Sequence, residues 1–348
     1  MNCKSGYILL FLFLIIRMTG ISQVDSDDSL SVKSMGETLN YDTNYIASYT
    51  EVFTPRLIIS NKKNIFTISE KESGKSIEYQ PNSPLNLGFG LTYKWFSFNV
   101  AFNFPFINKD DDIFGKTRRL DIQTNIFGRS YVIDIFLQYY RGFYIANPNI
   151  IDPDWMPGNP YPLRGDVVSL AFGVSGFYVF NHKKFSYRAA FNFNERQKKS
   201  KGSFTVGGGV INYRISSDSG LVPTEIFPDS VVAINFDLVK IGSTFAIGGY
   251  TYTFIIRNWY FNLGLGLGLG LSTTKTTLTT NVELENKSRI SVVTDFRGSV
   301  GYNSDRYYVG LSWATGAFAI SSSKDILVTY GLSKINFYVG YRFYQLFD

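Results

Sequence analysis

The chain has 348 residues, a formal net charge of +6, a single cysteine, a single histidine and 17% aromatic residues. One thiol, Cys3, excludes a disulfide framework and a thiolate zinc site, and so mild a charge excludes the strongly basic signature of a nucleic-acid binder. Mean hydropathy is −0.02, and beyond residue 22 no apolar run approaches the roughly 18 residues of a membrane helix, which excludes a helical membrane protein.

Residues 1–22 read as a cleavable secretory signal: Lys4 supplies the positive start, and the apolar run Tyr7 to Ile16 is too short to span as a helix. Gly20-Ile21-Ser22 then places cleavage before Gln23. Residues 23–51 are polar and unpatterned, and form either a periplasmic lead-in or a plug segment. Residues 52–348 are patterned throughout.

In 85–104 the pattern is cleanest. Leu85, Leu87, Phe89, Leu91, Tyr93 and Trp95 share one face, and Phe96, Phe98, Val100, Phe102 and Phe104 repeat it. Period 2 is the period of a strand, with one oily and one small or polar face. Each run is about the 9–11 residues of a tilted membrane strand, with aromatic residues near its ends. The same pattern marks 52–70, 117–127, 130–143, 166–180, 184–194, 202–214, 229–239, 243–256, 259–271, 289–302, 306–318 and 334–343. The fold class is all-β, an antiparallel transmembrane β-barrel of about 14 strands, or 12 if the first and the Asp229 segments are not strands. Short turns alternate with long connections such as 105–116, 144–165 and 272–288. One long connection, 215–228, falls on the short-turn side by this count. Residues 261–271 set Phe261, Leu263, Leu265, Leu267, Leu269 and Leu271 against Asn262, Gly264, Gly266, Gly268 and Gly270, a lipid face backed by room for a plug or ligand. The last run ends on an aromatic, Phe343 or Phe347, resembling the terminal signal read by the barrel-assembly machinery.

Several motifs resemble a family. They are Tyr79-Gln80-Pro81-Asn82, Gly115-Lys116-Thr117 before Leu120-Asp121-Ile122-Gln123, the run Gln138 to Tyr144, Tyr178-Val179-Phe180-Asn181, the run Lys184 to Phe191, and the run Gln197 to Ser203. Together they resemble DUF4421, an uncharacterised family of Bacteroidota outer-membrane proteins. The resemblance implies a barrel in the bacterial outer membrane, reached through the cleaved signal. It implies no substrate and no site residue.

Alternation points Lys94, Asp121, Asp134, Arg188, Asp237, Asp295, Arg297 and Arg342 into the lumen, together with Tyr140 and Tyr338. Charges balanced across a narrow interior pair with one another, either filling the barrel or lining a selective pore. Arg196, Lys198, Lys199 and Lys201 are expected on an outer loop, where they either bind lipopolysaccharide phosphates or are simply solvated. Asp110-Asp111-Asp112 lacks the ligand spacing of a defined cation site. His182 is expected in a periplasmic turn, out of reach of any serine on the outer rim, so no enzyme is expected. No cofactor is expected. The partners expected are outer-membrane lipid, lipopolysaccharide and the assembly machinery, and not nucleic acid. Two functions stay open: a pore or binding barrel for small or lipophilic molecules, and a plugged barrel that anchors loops or partner proteins.

Overall fold

The computed structural model describes residues 40–70, 73–93, 96–104, 110–222, 235–321 and 326–344. The expected signal segment lies outside them. In chain order the strands are β1 (Ile46–Ser48), β2 (Thr54–Glu70), β3 (Ser76–Gln80), β4 (Asn86–Tyr93), β5 (Phe96–Asn103), β6 (Arg118–Phe127), β7 (Tyr131–Ile145), β8 (Leu163–Val179), β9 (Glu195–Gln197), β10 (Lys201–Ser216), β11 (Phe236–Ile256), β12 (Trp259–Leu278), β13 (Glu283–Asn303), β14 (Tyr307–Ser321) and β15 (Ile326–Tyr341). One turn of helix, α1 (Asp111–Phe114), precedes β6. β1 and β9 form a ribbon of their own, and the rest join one sheet of 13 strands.

The sheet closes on itself. Antiparallel pairing runs from β2 through β3, β7, β8 and then β10 to β15, and β15 returns to β2 along its length. Closure leaves these backbone groups paired without water, as a barrel in lipid requires. Between β2 and β7 the wall is irregular. At one end β3 alone bridges them, with Tyr79 opposite Ile145 and Gln80 opposite Tyr144. Toward the other end β2 pairs with β4, β4 with β5, and β7 with β6. Among the described residues β5 pairs with β4 alone and β6 with β7 alone, so a seam separates two strand edges.

The barrel has a terminal end and a loop end. At the terminal end Phe53 bridges Phe343, and tight turns join β6 to β7, β11 to β12 and β13 to β14. The longer connections 146–162 and 217–235 lie at the loop end. Residues 184–194 are not a strand, against the sequence expectation. Ala189 N–H donates to Ser186 Oγ at 3.0 Å, Arg188–Asn192 form a π-helical turn, and Phe193 ends it in the left-handed region at φ 61°. The aromatic residues Phe185 and Phe193 are fully buried instead of facing lipid. Without that strand the count shifts by one. The 215–228 connection therefore belongs at the loop end, and its misfit disappears. By the same shift Arg196, Lys198, Lys199 and Lys201 stand at the terminal end, with the short turns. The described parts of 229–239 and 243–256 are one strand, β11.

The outer face carries the expected belt: Leu265, Leu267, Leu269 and Leu271 on β12 are 55–67% exposed. Behind it the glycines hold no open room. A Cβ on Gly268 would stand 2.3 Å from the Ala246 carbonyl oxygen, and one on Gly270 would stand 2.6 Å from Ser291 Oγ. Neighbouring strands and their side chains take the space.

Candidate functional site

The interior of the barrel is stacked in three layers. At the loop end an apolar cluster gathers Phe66, Ile68, Ile77, Tyr79, Phe143 and Tyr213, with further residues of β8, β11 and β15. Their strands deliver them because inward positions recur every second residue, as in Asn64, Phe66 and Ile68. Phe66 stacks on Tyr79 at 4.5 Å, and Tyr213 meets Tyr330 at 4.1 Å. The connection after β10 folds onto this cluster. Leu221 and Val222 are buried in it, and the Tyr79 hydroxyl donates to the Leu221 carbonyl at 2.6 Å. Arg164 holds the same connection through the Gly220 carbonyl at 3.1 Å, while it pairs with Asp166 at 2.8 Å.

The middle layer is charged. Asp121 accepts hydrogen bonds from the Tyr140 hydroxyl and from Gln138 Nε2 at 3.0 Å, with Lys62 Nζ at 3.5 Å. Gln138 Oε1 in turn accepts from the buried Tyr330 hydroxyl at 2.8 Å. Arg297 bridges Asp134 at 2.5 Å and Asp295 at 2.8 Å, with its guanidinium over the Phe177 ring at 4.9 Å. Lys334, opposite Lys62 in the ladder, stands among Lys62, Asp121, Asp134 and Arg297. Asp121 with Lys62, and Asp134 and Asp295 with Arg297, are thus ion-paired, as a low-dielectric interior demands, while Lys334 faces Lys62.

The terminal layer is the 185–197 segment folded into the barrel mouth. Glu195 is fully buried and is held by Arg129, by Arg188 at 3.4 Å and by the Ser186 hydroxyl. Phe193 stacks on Tyr308 at 4.4 Å beside Ile58, Tyr260 and Tyr338. Arg342, 1% exposed, donates to Asn303 Oδ1 at 2.8 Å and to the carbonyls of Phe193 and Ser304. Arg56 donates to the Asn192 carbonyl at 2.9 Å. Outside this layer lies the described part of the lead-in. β1 pairs with β9, Tyr49 N–H donates to the Asn194 carbonyl at 2.9 Å, and the Tyr49 ring covers Arg342 at 3.9 Å.

Of the eight expected lumen charges, Asp121, Asp134, Asp295 and Arg297 come together in the middle layer. Arg188 and Arg342 belong to the terminal layer, where they bind backbone and Glu195. Asp237 joins neither group: its carbonyl accepts from Ser217 N–H at 2.9 Å near the loop end. Lys94 lies outside the described residues. The basic loop is engaged locally. Arg196 pairs with Asp305 at 3.1 Å, Lys198 donates to the Thr43 carbonyl at 3.1 Å, and Lys199 stands over the Tyr45 ring at 5.5 Å; Lys201 opens β10. Asp110 and Asp111 each accept from Asn82 Nδ2 at 3.1 Å. His182 lies in a terminal-end turn with Nδ1 3.1 Å from the Val179 carbonyl. Lys62 and Lys334 were missed, although alternation from Ile58 and from Tyr338 already turns them inward. Glu195 and Arg129 had no signal, since their roles depend on 185–197 folding inside.

The model of the domain of unknown function DUF4421 matches residues 40–343, and the chain belongs to that family. No curated protein matches the chain. Among solved structures it is similar to the outer membrane protease OmpT of Escherichia coli, with a TM-score of 0.37, 8% identity, and coverage of 85% of this chain and 98% of that one. It is also similar to the translocator domain of the autotransporter NalP of Neisseria meningitidis, with a TM-score of 0.32, 9% identity, and coverage of 87% and 91%. A third similar structure is the toluene transporter TodX of P. putida, with a TM-score of 0.18, 6% identity, and coverage of 84% and 90%.

Proposed function

We propose that this member of the DUF4421 family is a closed, non-conducting barrel of the outer membrane that anchors its loops, or a partner bound to them, at the cell surface. One observation carries the reading: among the described residues the interior holds an apolar cluster, a charge layer and an inserted chain segment, one above the other. The short turns of the terminal end suit the periplasmic side, and the long connections suit the outside. The apolar belt of β12 supports outer-membrane lipid as the surrounding partner.

A second reading, the binding of a small amphiphile, is favoured by the seam between β5 and β6. Asp121 lies on β6 at the edge of that seam and Asp134 on the adjacent β7, so an amphiphile entering there from the lipid would place its polar head on the middle layer without passing either end.

Planar-bilayer recording of refolded residues 23–348 tests the first reading. Insertion is checked separately by heat-dependent migration on a gel. Inserted but silent protein is the expected result, and steady conductance overturns the closed barrel. For the second reading, native mass spectrometry with a medium-chain fatty acid is the measurement. Binding that is lost in Asp121→Ala with Asp134→Ala supports lateral entry, and no binding by the wild type excludes it for that ligand.

A further inference from the structure

The outer wall of β10, β11 and β12 changes character along its height. From the terminal end, Trp259 and Phe261 form an aromatic rim, and the leucines up to Leu271 form the belt. Above Leu271 the outward positions turn polar. Asn212, Gly242 and Thr273 lie in one row across the three strands, and Arg214, Lys240 and Lys275 lie in the next. The distance from Leu263 to Leu271 is about the nine residues of a membrane strand, so the polar rows sit at the bilayer surface on the loop side. Both lysines and Arg214 are exposed.

Two properties of these rows point to an anion. Residues directly opposite in adjacent strands have Cβ atoms about 4.5–5.5 Å apart, where like charges repel. Arg214 and Lys240 are opposite each other, as are Lys240 and Lys275. Glu285 is across the ladder from Lys275, and among the described residues neither Arg214 nor Lys240 has an acidic partner. The second property is shape. A cavity of about 270 Å³ is bordered by β10, β11 and β12 only, so it opens outward, not into the barrel. It exists because Gly242 has no side chain: the nearest atoms to a Cβ there are Asn212 Oδ1 and Thr273 Oγ1, both at 3.4 Å. Those two groups and Thr244 offer hydrogen bonds, while Val210 and Leu271 line its lower edge.

We infer, with the loop end facing outward as in the reading above, that this wall is a binding site for a phosphorylated glycolipid of the outer leaflet. The phosphate lies on Arg214 and Lys240, a sugar hydroxyl enters the notch at Gly242, and the acyl chains lie along the leucine belt. Clustered cations at a membrane surface attract anionic headgroups, and Arg forks onto phosphate oxygens. The order of the wall, cation then hydrogen-bonding notch then hydrocarbon face, matches the order of groups in such a lipid. Free phosphate would satisfy the cations but leave the notch and belt unused. The site is on the outside of the wall and is independent of whether the lumen is closed.

Native mass spectrometry of the full mature protein, released from detergent with bisphosphorylated hexa-acyl lipid A or its dephosphorylated form, tests the inference. Three variants are compared: Arg214→Ala with Lys240→Ala, Gly242→Leu to fill the notch, and Lys198→Ala with Lys199→Ala at the terminal end. Folding is checked by heat-dependent gel migration. The wild type is expected to retain the phosphorylated lipid, and the Arg214/Lys240 variant about tenfold less or lower still. Gly242→Leu should also weaken retention, and the terminal-end variant should match the wild type. Equal retention of the dephosphorylated lipid, competition by millimolar inorganic phosphate with the lipid effect lost, or a defect confined to Lys198/Lys199 overturns it.

Discussion

The two ends of the barrel are packed by different physics. At the loop end closure is apolar: Phe66, Tyr79, Phe143, Tyr213 and Tyr330 fill the bore, with a few hydrogen bonds holding a connection over them. At the terminal end it is ionic and backbone-directed: Glu195 sits between two arginines, while Arg56 and Arg342 hold the carbonyls of Asn192 and Phe193. The difference comes from what each end must bind. Side chains from the wall can meet one another directly. A chain segment inserted into the mouth brings carbonyls whose hydrogen bonds must be satisfied without water, and arginine supplies several donors from one side chain. Loss at the loop end should therefore grade with volume, and loss at the terminal end with uncompensated charge.

The largest expected effect is at Glu195. Glu195→Ala strands Arg129 and Arg188 beside an emptied site, and breaking a buried pair this way costs about 3–5 kcal/mol. Urea unfolding of protein refolded in vesicles measures it, and Glu195→Gln should lose less because the Ser186 hydrogen bond survives. At the loop end Ile77→Ala is expected to cost about 2–4 kcal/mol by the same titration, through lost burial and the cavity left. A loss at Glu195 smaller than that at Ile77 would reverse the comparison of the two ends. Between them, Asp134→Asn should cost about 1.5 kcal/mol, less than Glu195→Ala, because Arg297 keeps Asp295.

How much of this was legible in the sequence depended on whether one strand face decided the matter. The belt of Leu263 to Leu271 and the inward Asp121, Asp134, Asp295 and Arg297 arise from period 2 alone, so alternation reached them. The segment 184–194 also alternates, with Phe185, Tyr187 and Phe191 spaced like a lipid face. What defeats that reading is a local competitor: the Ser186 hydroxyl accepts the Ala189 N–H and starts a helical turn. One misread strand then inverted the sidedness of everything near it, including Arg196 and Lys198. The partnership of Glu195 with Arg129 needs that inverted segment inside the barrel, and no short-range pattern encodes it. The irregular wall around β3 was hidden for another reason. β2 pairs with β3 over one half and with β4 over the other, a division set by register and not by hydrophobicity.

The smallest expected effect is at the outer rim of the terminal closure and reads its ionic character through pH. Burial, and then the hydrogen bond to Asp305, raise the Tyr49 phenol above its ordinary value, while Arg196 and Arg342 pull it back in part. A raised phenol favours the neutral form in the folded protein. Its contribution is whole below the unfolded value of about 10 and is lost as pH climbs above that toward the folded value. Tyr49→Phe keeps the ring over Arg342 and removes only the hydroxyl, so at pH 8 it should cost about 1 kcal/mol. Other buried tyrosines also titrate at alkaline pH, so the difference between the two proteins is the quantity to track. It should shrink between pH 10 and 12, because the wild type loses stability there that the variant no longer has to lose. A gap that stays constant across that range would mean that the Tyr49 hydroxyl does not ionise at the expense of the closure.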